Sequence, residues 1–349
     1  MRFERREKTS ALLGIAAPLI AVAVALAMSG VLIALAGAPV LEAYGRIAIG
    51  AFGSKLAITE TLTWATPLIL TGLAAAVAFR AQVWNIGAEG QLYAGALAVA
   101  ALGAANPLGL PPAALIVVLM VAGAIAGMVL LVVPVMLRLR FGVDEVVTTL
   151  LGNFIVLLFV SLAVEGFLKD PLAFGWPQSV PVVMEASLPR IVDRSRLHLG
   201  LPIACGLAVL VFLVLRYTVF GMQSRAAGLN PAAARFAGVP ISGTLIRVAC
   251  LSGGLAGLAG AIEVLGVKGY VTTDLSPGFG YSGIVVAMLA GLNPLGVVLA
   301  ALFVAAMFVG ADGMSRTLDV PSFIADVTVS LSLLTMLIAL FFTSWRVRK

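Results

Sequence analysis

Residues 217–243 read YTVFGMQSRAAGLNPAAARFAGVPISG, a polar and basic interruption between two long apolar blocks. The stretch carries its own helix start and stop. Asn230 is an N-cap residue, Pro231 suits the first helical position, and Gly238 can close the helix in a left-handed conformation. The helix they bracket has about seven residues, well below the ~12–15 at which an isolated helix holds in water. It needs a surface to rest on, and its charge keeps that surface outside hydrocarbon. The segment reads as a docking element between membrane spans, with Gln223, Arg225, Asn230, Arg235, Phe236 and Gly238 as its candidate residues.

The flanks of this segment set the class. Of 349 residues, 61% are hydrophobic and 11% charged, and mean hydropathy is +1.12, whereas a soluble domain carries about 25% charge. Runs of about twenty apolar residues recur, each long enough to cross ~30 Å of hydrocarbon as a helix. The expectation is an all-α integral membrane protein, with 1–349 as a single transmembrane domain of about ten spans. They are placed at 11–37, 56–79, 86–105, 111–137, 144–168, 198–216, 245–266, 281–292, 295–311 and 321–343. The first apolar run, about 27 residues, exceeds the ~7–15 of a signal peptide and is read as an uncleaved span. Ten spans put four basic groups on one side: Arg2, Arg5, Arg6 and Lys8; Arg138 and Arg140; the 216–247 arginines; and Arg346, Arg348 and Lys349. The positive-inside rule then places both termini and 217–243 in the cytoplasm, with 169–197 as an external loop. The net charge of +6 follows this topology and does not imply nucleic acid.

A faint internal repeat runs through the chain. Asn106-Pro107-Leu108-Gly109 and Asn293-Pro294-Leu295-Gly296 each precede an apolar helix with paired glycines, Gly123/Gly127 and Gly310/Gly313. A Thr/Ser-bearing span follows each (146–159 and 327–340). One tetrapeptide would lie outside and the other inside, the pattern of an inverted repeat relating spans two to five with seven to ten.

Polar residues inside the spans are the candidates for a solute path. In NIGAEGQ (85–91), Asn85 can cap the third span while Glu89 complements its dipole; alternatively Glu89 and Gln91 face a hydrated path. A carboxylate at the bilayer centre costs ~2.5–3.5 kcal/mol on insertion scales and so faces a cavity or a partner. Thr149 and Asn153 share a helical face, and Asn153 is either inter-helix glue or part of the path. Asp144 and Glu145 read as helix-start residues, and Glu263 and Lys268 as interfacial. Gly278–Gly283 matches GxGxxG but follows no strand, so its glycines are expected to allow a tight entry into a short helix; Gly253/Gly257 read as close helix packing.

No metal-ligand cluster surrounds His198, and GxxxxGK[ST], HExxH and GxSxG are absent. Any ATP hydrolysis must therefore lie on another chain. An ion-coupled secondary transporter shares the repeat and the intramembrane carboxylate, but it has no use for a cytoplasmic mini-helix.

WNIGAEGQLYAGAL (84–97), FGVDEVVTTLLGNFI (141–155), GWPQSVPVV (175–183), GMQSRAAGLNPAAARFAGV (221–239) and GYSGIVVAMLAGLNPLG (280–296) together resemble the permease subunits of ATP-binding-cassette importers. The relevant family is the branched-chain amino acid, ribose and nucleoside group, and the nucleoside branch fits better than the simple-sugar branch. The resemblance implies two cytoplasmic ATPase subunits that carry ATP and Mg2+, a second and different permease chain, and an external binding protein. It also implies a multi-pass location in a bacterial inner membrane. Under it, 221–239 couples to the ATPase, and Asn85, Glu89, Gln91, Thr149 and Asn153 are the expected path residues.

Overall fold

The computed structural model describes residues 2–5, 11–106, 109–318, 321 and 323–348. Pro107 and Leu108 of the first repeat tetrapeptide, and the termini at Arg6, Lys8 and Lys349, lie outside the described residues. Among the described residues the regular elements are helices, apart from a short antiparallel pairing of Arg2–Arg5 with Trp345–Arg348 and isolated bridges in the irregular connections. In order the helices are α1 (Ala11–Leu35), α2 (Val40–Phe52), α3 (Lys55–Arg80), α4 (Ala88–Gly103), α5 (Pro112–Phe141), α6 (Glu145–Glu165) and α7 (Gly200–Tyr217). They continue as α8 (Val219–Leu229), α9 (Pro231–Phe236), α10 (Ile241–Glu263), α11 (Phe279–Leu289), α12 (Pro294–Leu318) and α13 (Ile324–Ser344). A π-helical turn, Val264–Lys268, prolongs α10.

Six of these helices are long and apolar enough to cross a membrane, or seven crossings with the bent pair formed by α1 and α2. The expected third span is a 16-residue helix preceded by irregular chain, and the expected eighth is an 11-residue helix. The sequence reading missed α2. It leaves α1 at a bend of 114°, and its buried face repeats at Ala43, Ile47 and Ala51, one turn apart.

The helices gather into two compact units, Thr66–Ile284 and Met1–Ala65 with Val285–Lys349. In the first, α4, α5 and α10 cross through glycine. A Cβ on Gly95 would lie 2.1 Å from the Gly257 carbonyl oxygen, one on Gly127 2.4 Å from Gly253, and one on Gly260 1.9 Å from Leu92. Backbone meets backbone there, the contact that small residues permit between membrane helices. Lipid tails are as apolar as leucine, so this packing has no hydrophobic drive of its own. The expected role of Gly253 and Gly257 is thus borne out, and α5 supplies the facing pair Gly123 and Gly127. In its most apolar window α10 is 83% buried, against 22% for α5 and 28% for α6, so α5 and α6 turn their leucines and valines outward.

In the second unit α2 lies on α12, where a Cβ on Gly310 would meet the Ile47 carbonyl oxygen at 2.4 Å. Beside it α1 packs on α13, joined by Ser29 to Thr328 (2.7 Å) and by Thr335 donating to the Ala21 carbonyl (2.9 Å).

Candidate functional site

The chain between α3 and α4 leaves the helical path at 81–87, where exposed Gln82 and Trp84 alternate with buried Ala81, Val83 and Asn85, and an unpaired backbone group on the buried side is costly. The amides of Ala81, Gln82 and Val83 fold back onto the carbonyls of Ala78 and Phe79, with Gln82 left-handed at φ 57°. Beyond that, side chains from α5 and α6 take over. Arg138 Nη1 donates to the Gln82 carbonyl (2.9 Å) and pairs with Glu145 Oε1 (2.5 Å), which also accepts from the Trp84 amide (3.3 Å). Thr149 Oγ1 accepts from the Ile86 amide (3.3 Å), and Asn153 Nδ2 donates to the Ile86 carbonyl (2.9 Å).

The same network reaches further. Asn85 and Gln91 exchange two amide hydrogen bonds (2.9 and 2.8 Å), and Asn85 also donates to Ser252 Oγ on α10 (3.1 Å). Asn153 Oδ1 accepts from the Gly90 amide (2.8 Å), while its Nδ2 reaches the Tyr281 hydroxyl (3.1 Å). Glu89 Oε2 accepts from the Gly280 amide (2.6 Å), which puts a carboxylate on the first turn of α11, where the helix dipole favours it. Thr71 donates to the Phe279 carbonyl (2.9 Å), and Tyr93 donates to the Thr273 carbonyl (2.7 Å). The glycines of 278–283 allow this approach: a Cβ on Gly280 would lie 2.2 Å from the Glu89 amide nitrogen, and one on Gly283 2.5 Å from Thr71 Oγ1.

All five expected path residues meet in this network. Asn85 is 0% exposed, Glu89 3%, Gln91 1%, Thr149 2% and Asn153 1%. Each has a hydrogen-bond partner from the protein, so in this conformation the cluster fastens helices together.

Three sequence readings change. Asn85 is not the cap of α4; Gly87 holds that position, and Asn85 Oδ1 accepts from the Gly87 amide inside a local turn (3.0 Å). Glu145 is more than a helix-start residue because Arg138 lies against it, whereas Asp144 caps α6 through the Val146 amide as expected. Glu263, expected at the interface, is buried at 6% exposure. Ser252, Tyr281 and Arg138 went unread as site residues. The seven-residue interval from Arg138 to Glu145, folded back by left-handed Gly142, was the available signal for one of them.

The 217–243 segment folds as its caps require. Asn230 Oδ1 accepts from the amides of Ala232 and Ala233 (3.1 and 3.0 Å), and Gly238 is left-handed at φ 84°. α9 is six residues long and buries Ala234 beneath it. Phe236 is 97% exposed, with Arg225 and Arg235 exposed nearby in sequence. α8 packs on α7 and α10, and Gln223 is half-buried, its Oε1 unpaired among the described residues.

The guanosine ABC transporter permease protein NupP of Bacillus subtilis is 34% identical to this chain, covering 91% of both. The glucose ABC transporter permease protein TsgB13 of Haloferax volcanii is 31% identical, covering 99% of this chain and 93% of its own length. The nucleoside ABC transporter permease protein NupB of Lactococcus lactis is 30% identical over 90% and 88%. A second Bacillus subtilis protein, the guanosine permease NupQ, is 26% identical over 71% of this chain. Residues 57–340, which contain the α3–α4 break and the capped mini-helix, match the family described as branched-chain amino acid transport system, permease component, and the chain belongs to that family.

Proposed function

We propose that this chain is one of two different permease subunits of a nucleoside importer, with guanosine-like purine nucleosides as its solutes. The observation that carries the coupling part of this reading is α9: a six-residue helix, capped at both ends, presenting a wholly exposed Phe236. An aromatic held out on a short rigid element fits an apolar pocket on a partner, with Arg225 and Arg235 meeting an acidic rim. The partner is a cytoplasmic ATPase, and ATP and Mg2+ bind to it and not to this chain. The similarity to NupP, and the presence of NupP and NupQ in one organism, support the solute class and the second permease.

Ten crossings in a bacterial inner membrane, arranged as an inverted repeat with both ends cytoplasmic, complete the reading. The pairing of Arg2–Arg5 with Trp345–Arg348 supports an even number of crossings, since it brings the two ends together. An external binding protein delivers the solute. Closure of the ATPases pulls on α9, and the two halves of the permease pair rock to open the path inward. A neutral nucleoside needs hydrogen-bond partners without a strong point charge, which suits the amide- and hydroxyl-rich residues Asn85, Gln91 and Thr149 once the halves separate, while Asn153 stays with the backbone groups it holds.

The test is mass spectrometry of whatever co-purifies with the chain from its native membrane, followed by uptake of guanosine and glucose into proteoliposomes. Recovery of an ATPase and a second permease, with guanosine uptake, upholds the reading. Uptake of glucose alone would turn it to the sugar side, where TsgB13 stands. Recovery of this chain alone under cross-linking would revive an ion-coupled carrier.

A further inference from the structure

We propose that the α3–α4 break, residues 81–87, is the element through which the coupling segment acts on the bundle, with Gly228, Arg138 and Glu145 as the positioning residues. The proposal rests on the permease reading above and deepens it. Its first observation is the seat of α8. A Cβ on Gly228 would lie 2.3 Å from the Arg80 carbonyl oxygen and 3.2 Å from Ala81 Cα, so the coupling segment meets the break backbone to backbone. No flexible side chain stands between them to absorb a push.

The second observation is how the break is held. Gln82, Trp84 and Ile86 draw their partners from the side chains of Arg138, Glu145, Thr149 and Asn153 on α5 and α6. A segment tied by side chains can change its backbone angles without unwinding a helix, the usual property of a hinge. The third observation is where the break leads. Asn85 bonds to α10 through Ser252, and Glu89, in the first turn of α4, holds the first turn of α11. Displacing α8 therefore moves a segment that α5, α6 and α10 grip directly and that leads through Glu89 to α11. α9 supplies the grip on the ATPase, and α8 carries the displacement inward.

The experiment uses the complex as purified with its ATPase and second permease, in proteoliposomes with the binding protein. It measures radiolabelled guanosine taken up per ATP hydrolysed, and the stimulation of hydrolysis by the binding protein. In Gly228→Ala the new methyl group forces the two backbones about 1 Å apart, since a carbon–oxygen contact needs well over 3 Å. Glu145→Gln keeps the size of the side chain and removes the charge that holds Arg138. Both variants should keep the ATPase bound and hydrolysing, while uptake per ATP and the stimulation ratio fall about tenfold, within the range by which positions along a coupled connection act.

Unchanged ratios in both variants would overturn the proposal. So would uptake and hydrolysis falling together at a constant ratio, because that is merely loss of assembled complex. If Gly228→Ala does not assemble, Glu145→Gln decides by the same ratios. A wild-type complex that assembles but takes up no guanosine sinks only the nucleoside reading, and the stimulation ratio still decides this one. A wild type without any ATPase overturns both.

Discussion

Asn153→Leu separates the two roles available to the buried network. The substitution keeps the branched outline of the side chain, with somewhat more bulk, and removes the carboxamide. The Gly90 amide then loses its acceptor and the Ile86 carbonyl loses its donor, at 2.8 and 2.9 Å in the native protein. Tyr281 also loses a partner, but at 39% exposure it can find another. Leaving a buried backbone group unsatisfied costs ~1–3 kcal/mol, so two groups set an upper range of about 2–6 kcal/mol. Hydrogen bonds between membrane helices average only ~0.6 kcal/mol in double-mutant cycles, because the unfolded chain in the membrane also finds partners. The Gly90 amide lies in the first turn of α4 and the Ile86 carbonyl in the break; the two could pair with each other only if α4 rewound into the break, so both stay unpaired while the break keeps its shape. The lower end of the first range therefore wins, about 2 kcal/mol. The assay is reversible unfolding of the purified chain in mixed micelles, alongside guanosine uptake by the intact complex. A loss of about 2 kcal/mol with the uptake KM unchanged is the expected result. A stability change below about 0.5 kcal/mol together with altered solute preference would refute the reasoning and put Asn153 on the path.

Phe236→Asp should leave membrane insertion intact and abolish ATPase capture; a complex that still purifies with full activity would end the docking role of α9. Gly257→Val should unfold or misassemble the α4–α5–α10 crossing, since even a Cβ there lies 2.3 Å from the Gly123 carbonyl oxygen; a thermal midpoint equal to wild type would contradict the backbone contact. His198 lies in the connection just ahead of α7, where burial pushes its pKa down to about 4 from 6.5 and Nδ1 accepts from the Gly200 amide. Because the folded value is the lower one, its contribution to stability is full above the unfolded pKa and is lost as pH falls through about 4. Thermal unfolding followed from about pH 7.5 to 4.5 should show that decline, and His198→Gln should flatten it. Reversing Arg190 and Arg194, both exposed, should weaken binding-protein capture most at low ionic strength; a salt-independent result would reduce them to solvated charges.

Local chemistry determined a large share of this protein. The capped mini-helix was legible from Asn230, Pro231 and Gly238 because caps act within four residues of themselves, and each does in the structure what its side chain requires. The membrane class followed from apolar run length, and close packing at Gly253 and Gly257 from glycine spacing, though not that α5 is what packs there. Even the candidate set Asn85, Glu89, Gln91, Thr149 and Asn153 was legible, because a polar residue in an apolar span is costly enough to announce itself. Its partners were not. Which groups satisfy Asn153, that Glu89 answers the start of α11 across 191 residues, and that Arg138 closes on Glu145 all depend on which helices lie side by side. Hydropathy cannot supply that, since lipid and protein interior look alike to an apolar residue and neither face of a span is marked. The helix α2 escaped for a related reason: it is too short and too amphipathic to register as a span, and what buries its one face at Ala43, Ile47 and Ala51 is α12. Sequence decided what must be buried and where helices end; only the tertiary structure decided what each buried polar group holds.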